Sequence, residues 1–378
     1  MNSSLRYALS VLVSLGLAGC GPKDGSRELE QGRDAYELRD LKKAERLFEK
    51  SAALSPDRVD ALVYLARVKI DLGELEAARE AIGRAAVLAG RDVDVRLVQA
   101  QAAWIAKDYD VAAGLYAGVA EDAELSPELQ AQGWTGLGIV DMARDSPDAA
   151  RCAFLRATIL DRRSASAWYH LGLLYRDAFG YNEAALEHFE KFVRLDDASS
   201  PRVQKVQRSV IPAIKETISR EAVARPGVEK RDSSASATEI SKAEAAWKRN
   251  EFRTARRHYQ AALAADPLSY PAAFGLARAW QRTDTTNAGQ TKALENYRIA
   301  CKLRPGAVST FLTAGALAAR LGMHAIAVKT YSRAVAADPK SFDALDGLIR
   351  SLRRVGGRAK DAMAYQRYRE SITPSRRK

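Results

Sequence analysis

Cysteine is scarce in this 378-residue chain: three residues, Cys20, Cys152 and Cys301, with no CxxC pair among them. That excludes a disulfide framework and a thiolate metal site. The four histidines (His170, His188, His258, His324) form no HExxH and no i,i+4 pair, so a helix-borne zinc site is excluded as well. No GxSxG, P-loop or GxGxxG occurs, which removes a nucleophile elbow and the phosphate-cradling loops. Aromatics are only 7% and glycine and proline are not enriched. Together with abundant alanine, this suits packed helices better than a β-sandwich. Beyond the first twenty or so residues no apolar run approaches the ~20 residues that span a bilayer. Carboxylates are numerous but sit beside basic residues, as in DLKKAERLFEK from Asp40, the pattern of a solvated helix face. No enzyme is expected, and no metal, cofactor or small-molecule substrate; an unexpected catalytic site on the scaffold is a distant third reading. Cys152, Cys301 and the histidines are read as packing or surface residues.

What the chain does have is size, charge and periodicity. Its length allows two domains. The formal charge of +12 is uneven: from Ser241 to Lys378 there are 26 Lys and Arg against 10 Asp and Glu, a balance of +16 that leaves −4 for the rest. A partner of opposite sign would be drawn to the C-terminal part.

The chain opens MNSSLRYALSVLVSLGLAGCG. Arg6 is a short positive region, Tyr7 to Ala18 an apolar one, and small residues follow, which is a secretory signal pattern too short for a stable transmembrane helix. Leu17-Ala18-Gly19-Cys20 resembles the bacterial lipobox. The resemblance implies cleavage after residue 19 and acylation of Cys20, with several acyl chains giving a stable anchor. Gly21 stands where many inner-membrane lipoproteins carry Asp. By resemblance, the expected location is the outer membrane of a two-membrane bacterium, facing the periplasm.

Ala44, Ala78 and Ala112 are spaced by 34 and 34. Four residues after each comes a large side chain: Phe48, Ile82, Tyr116. The pair recurs at Ala150/Phe154, Ala185/Phe189, Ala255/Tyr259, Ala293/Tyr297 and Ala327/Tyr331. Upstream, Trp134, Leu137 and Gly138 match Trp168, Leu171 and Gly172, and Pro56, Pro267, Pro305 and Pro339 punctuate the ends. These motifs resemble the tetratricopeptide repeat, a 34-residue helix–turn–helix unit, over about residues 25–200 and 237–372. The resemblance implies an all-α superhelix. Small residues let paired helices approach, large ones fill the gap to the next helix, and several repeats must stack to bury their apolar faces.

Departures from the period are expected to show in the structure. Arg96, Gln99 and Ala100 replace Trp, Leu and Gly in the third repeat; EDAELSPE lengthens a loop between repeats; TDTTNAGQT inserts into the helix–helix turn of the seventh; and the last copy, from about Ser341, is degenerate. Pro201 to Ile218 has helical apolar spacing, interrupted by Pro212, and reads as a capping helix over the end of the first array. The expected organisation is a signal peptide (1–19), a first array with its cap (25–222), a polar linker (223–236), a basic second array (237–372) and a basic tail (373–378).

In tetratricopeptide proteins the first helix of each pair lines the concave face. The resemblance therefore puts Arg33, Tyr36, Tyr64, Arg67, Gln101 and Trp104 on that face in the first array, and Trp247, Phe274, Arg278, Arg282, Arg350 and Arg353 in the second. The Lys/Asn clamp that grips C-terminal carboxylates in some family members is missing. Arginine binds carboxylates and phosphates bidentately, so the cluster points to an acidic peptide or to anionic envelope polymer or lipid. The leading expectation is a lipid-anchored scaffold binding protein partners in envelope assembly, secretion or pilus-type machinery. The alternative is a structural envelope protein held to cell wall or anionic lipid by charge. Nucleic acid is not expected, given the export signal.

Overall fold

The computed structural model describes residues 24–223 and 231–373. The signal segment, Cys20, residues 224–230 of the expected linker and the tail after 373 lie outside the described residues, and a helix already begins at Ser233, inside the expected linker. Among the described residues every regular element is a helix and there is no strand. No helix among them is long and apolar enough to cross a membrane.

The helices are α1 (Ser26–Glu37), α2 (Leu41–Leu54), α3 (Val59–Asp71), α4 (Leu75–Ala89), α5 (Val93–Ile105), α6 (Tyr109–Ala120) and α7 (Pro127–Ala143). Next come α8 (Pro147–Leu160), α9 (Ala165–Asp177), α10 (Asn182–Leu195), α11 (Pro201–Lys205), a π-helical turn (Val206–Val210) and α12 (Ile211–Val223). The second array holds α13 (Ser233–Lys248), α14 (Phe252–Ala265), α15 (Tyr270–Thr283), α16 (Asn287–Leu303), α17 (Val308–Arg320), α18 (His324–Ala337), α19 (Phe342–Arg354) and α20 (Ala359–Ile372). Two compact units divide between Val140 and Asp141. Both arrays' remaining helices, on either side of the expected linker, belong to the second unit.

The repeat pattern explains the packing. Ala44, Ala78, Ala112, Ala150, Ala185, Ala255, Ala293 and Ala327 are all fully buried. Aromatics four residues on are seated against glycines of neighbouring helices. A Cβ added at Gly172 would come within 2.8 Å of the Phe189 ring, and one at Gly275 within 2.3 Å of the Tyr259 ring. The turns inside eight of the pairs, all but that between α15 and α16, share a device that the sequence pattern does not display. One residue takes a left-handed φ between +54° and +79° at Arg39, Gly73, Lys107, Asp145, Gly180, Asn250, Gly322 and Gly357.

Three departures resolve simply. The seventh repeat's insertion does not form a long turn: α16 begins inside it at Asn287, capped by Thr286, so the added residues mostly extend that helix. EDAELSPE is a loop as far as Ser126, after which α7 begins, with Asp122 held by Arg96 at 3.0 Å. Pro212 lacks an N–H and its ring crowds the carbonyl a turn earlier, and the chain answers with the π turn just before it. The helix continues, its π turn and α12 packed on α10, with Val203, Val206 and Ile214 buried.

One expectation about charge is corrected. Glu45, in the Asp40–Lys50 segment, is not on a solvated face but buried. Lys42 lies 3.1 Å away and Lys69 closes on it, while Lys69 also reaches Glu49 at 3.1 Å and Glu74 at 2.9 Å. The Lys69 ammonium holds the Glu45 carboxyl below the usual range, against its desolvation.

Within the second unit, α20 packs against α8. Arg151, on α8, is fully buried there. Its guanidinium donates to Tyr365 Oη at 2.7 Å, to Ser332 Oγ at 2.9 Å, to the Ser332 carbonyl at 3.2 Å and to Asp148 at 3.3 Å. Phe179 lies beneath it, 4.5 Å from ring centroid to Cζ. Asp148 also accepts from Tyr365 and Arg358. A guanidinium without water is tolerable only when its donors are matched in this way.

Candidate partner-binding site

In the first unit, α1 and α3 bring four of the expected residues together. Tyr64 stacks on Phe48 at 5.2 Å and meets the edge of Tyr36 at 6.4 Å. Arg33 and Arg67 lie over the Tyr64 ring at 4.8 and 5.4 Å. Both arginines are already partnered by carboxylates on the first helix of the next repeat, Arg33 with Asp60 at 3.4 Å and Arg67 with Asp94. Tyr36 donates to Asp71 at 2.9 Å, and burial, reinforced by that carboxylate, pushes its phenol up to about 12. Gln101 and Trp104 are half-buried on α5. Trp104 packs into a core cluster with Ala103, Ala112 and Val140, its buried indole N–H without an acceptor.

The second array presents a different surface. Arg278 lies 4.4 Å over Trp247 and 5.9 Å from the Phe274 ring. Arg282, one turn on, lies 5.2 Å over Phe252, which itself meets Trp247 edge-on at 4.9 Å. Phe274 stacks on Tyr270 at 5.8 Å, and Arg304 covers Tyr270 at 4.2 Å. The result is a ladder of alternating rings and guanidinium groups along α13, α14 and α15. Arg278 and Arg282 are exposed and form no ion pair among the described residues. An aromatic ring occupies the face of a guanidinium and leaves its in-plane N–H groups free for a carboxylate. Arg350 and Arg353 do not join this ladder; they sit on α19, beyond α17. Arg353 donates to Gln366. Arg350 edges a cavity of about 260 Å³ with Arg354, Tyr331 and His324.

The sequence reading missed a third feature, in the second unit. A cavity of about 520 Å³ opens where α8, α9 and α10 face the α18–α19 turn and α20. Trp168 lies at its wall, donating to the Arg162 carbonyl at 3.0 Å, with the Lys191 ammonium 4.5 Å from its ring centroid. Lys191 is ion-paired to Glu187 at 2.7 Å. Tyr368 donates to the Pro339 carbonyl at 3.1 Å. His188 borders the cavity between Trp168 and Tyr175, at 5.3 and 5.1 Å, with neither ring nitrogen partnered. Burial, with Lys191 nearby, holds its imidazole down at about 4, so it is neutral at neutral pH. Trp168 was legible as a repeat-motif residue, but no sequence signal joins it to residues 336–340 across some 170 positions. Cys152 and Cys301 are buried thiols pushed up by burial, inert packing as expected. Among the described residues no cluster of His, Cys, Asp or Glu could hold a metal.

Sequence models of the tetratricopeptide repeat match residues 35–102, 135–200 and 240–307. No curated protein matches the chain. Among solved structures it is similar to the Thermus thermophilus tetratricopeptide protein TTC0263, with 19% identity over 51% of this chain and 99% of that one and a TM-score of 0.44. It is similar to Pseudomonas aeruginosa pilF at 18% identity, 53% and 93% coverage and a TM-score of 0.41. It is also similar to the APC/C hetero-tetramer Cut9–Hcn1, at 15% identity, 96% and 82% coverage and a TM-score of 0.37. With matched repeats in both arrays and over more than half of its length, the chain belongs to the tetratricopeptide repeat family, whose stacked helix pairs serve as protein–protein interaction scaffolds.

Proposed function

We propose that this protein is a lipid-anchored adaptor of a bacterial envelope that holds an acidic segment of a partner protein on the arginine–aromatic ladder of its second array. The observation that supports this reading is the pair Arg278 and Arg282, 4.4 Å over the Trp247 ring and 5.2 Å over the Phe252 ring and free of intramolecular carboxylates among the described residues. Arg33 and Arg67, by contrast, are engaged by Asp60 and Asp94. Preorganised guanidinium groups lose less entropy on meeting a carboxylate. The signal segment and Cys20 support membrane tethering, with the outer membrane and its periplasmic side as the proposed location and assembly, secretion or pilus-type machinery as the proposed setting.

The test is recovery of partners from detergent-solubilised envelopes, identified by mass spectrometry. Wild type is compared with Arg278→Glu/Arg282→Glu/Arg350→Glu/Arg353→Glu and with Cys20→Ala. A defined protein set that survives high salt and falls at least about tenfold with the reversed arginines supports the adaptor. Unchanged recovery sinks it. Labelled palmitate incorporated by wild type and lost in Cys20→Ala supports the anchor; label retained in the variant removes it. A second reading, charge-driven attachment to cell wall or anionic lipid, draws on the 26-to-10 excess of basic over acidic residues after Ser241. It predicts that all binding collapses as salt rises past the ~8 Å screening length of physiological strength.

A further inference from the structure

We infer that the cavity between α8–α10 and the α18–α19 turn is a second recognition site, which takes one large apolar side chain of a partner peptide with acidic residues on either side. This rests on the protein-binding reading but not on the ladder of α13–α15.

The lining is largely apolar and aromatic: Leu155, Ile159, Trp168, Pro339 and Tyr368. Its volume of about 520 Å³ falls in the range of pockets that enclose a small ligand or an anchoring side chain. Apolar surface of this kind, concave and rimmed by charge, is where interface anchors dock. The rim decides the flanking chemistry. Arg162, Lys191, Arg194 and Lys340 stand against Glu187 and Asp338. Glu187 is taken up by Lys191, and the Asp338 carboxylate accepts the Lys340 backbone N–H at 3.0 Å. Arg162, Arg194 and Lys340 form no ion pair among the described residues. Three unpaired cations around an apolar well complement acidic residues flanking an apolar one, and repel basic flanks.

His188 is the independent sign that something is received here. It is 4% exposed, and both ring nitrogens lack partners. Buried groups left in this state cost about 1–3 kcal/mol, and His188 is one of the residues lining the cavity, so a seated peptide whose N–H or carbonyl reached the ring would remove that cost. The cavity draws on the first array and on the turn between the last two pairs, so it exists only where the second unit closes on itself. A single array could not form it.

The probe is a set of fluorescein-labelled peptides Glu-Glu-X-Glu-Glu, with X each of the twenty amino acids, and Lys-Lys-Phe-Lys-Lys as control. Anisotropy is read with the full-length chain in detergent. Peptides with X = Phe, Trp or Leu are expected to bind at least about tenfold tighter than X = Ala. Arg194→Glu/Lys340→Glu, both at exposed positions, lowers that affinity about tenfold or more. His188→Phe keeps the fold, since the imidazole has no bond to lose, and weakens the peptide about fivefold. Arg278→Glu/Arg282→Glu leaves the peptide unaffected while it removes partner recovery, so the two readings fail separately. The proposal is overturned if no peptide binds below ~1 mM, if X makes no difference, if the rim reversal is silent, or if His188→Phe is silent. It is also overturned if the chain sediments as a dimer that Arg194→Glu/Lys340→Glu dissociates, because the occupant is then a second copy.

Discussion

His170 and His188 show what burial does to a titratable residue. His170 stacks on Phe154 at 5.4 Å and burial holds it at about 4; His188, between Trp168 and Tyr175, is held at about 4 for the same reason. An exposed imidazole titrates near 6.5. A base whose folded value is depressed stabilises the fold fully above its unfolded value and loses that contribution as pH falls from about 6.5 to about 4. Each is expected to contribute on the order of 2 kcal/mol of acid sensitivity. Urea midpoints of the wild type should drop between pH 7 and pH 4.5, and His170→Phe/His188→Phe should flatten that drop. An equal drop in the double variant would contradict it. The Glu45–Lys69 pair adds acid sensitivity in the first unit by the opposite route: its carboxyl is lowered, so its contribution is present above the unfolded value and lost as pH falls through the folded one. The sequence showed four scattered histidines and a run of alternating charge, and in neither case which side chain would end up without water. Burial is set by neighbours that are remote in the chain.

The helix pair is the scale at which the sequence spoke most clearly. The Ala-xxx-large spacing, the glycines opposite the rings and the prolines between pairs were all readable, because helix periodicity and close approach demand those residue types at those places. The left-handed residue in the turn was not readable, because Arg39, Lys107, Asp145 and Asn250 fill it as well as glycine does. For a residue with a Cβ that conformation costs about 1–2 kcal/mol. Lys107→Gly is therefore expected to raise stability by up to about 1 kcal/mol after the glycine's own entropy cost. A guanidinium titration of the two proteins reads it, and a lower midpoint in the variant would contradict the argument. Gly73→Lys, at the equivalent turn, should move the other way by a similar amount.

At the scale of the whole chain, the decisive interaction in the second unit is the one between α8 and α20. Arg151 meets Asp148, Ser332 and Tyr365 with no water to share the charge. Removing one partner of such a group costs about 3–5 kcal/mol. Tyr365→Ala should therefore lower the stability of the second unit by that order and expose the amide hydrogens of α8 to exchange. Arg151→Met should cost less than Arg151→Ala, because it fills the space without a charge to satisfy. Equal protection of α8 in wild type and Tyr365→Ala would show that the contact does not hold the unit closed.

The sequence by itself determined the repeat: which residues face which helix within a pair and from one pair to the next. Those contacts lie within about forty positions, and stacked repeats depend on neighbours alone. It also assigned the candidate arginines and aromatics to the first helix of each pair. Only the tertiary structure decided that Arg33 and Arg67 are already paired while Arg278 and Arg282 are not, since that turns on a carboxylate one repeat away falling within reach. Only the tertiary structure, too, brought Asp148 and Arg151 to Tyr365, and Trp168 and His188 to Lys340. Closure across about two hundred residues is a sum of small helix-to-helix rotations, and no local pattern records that sum.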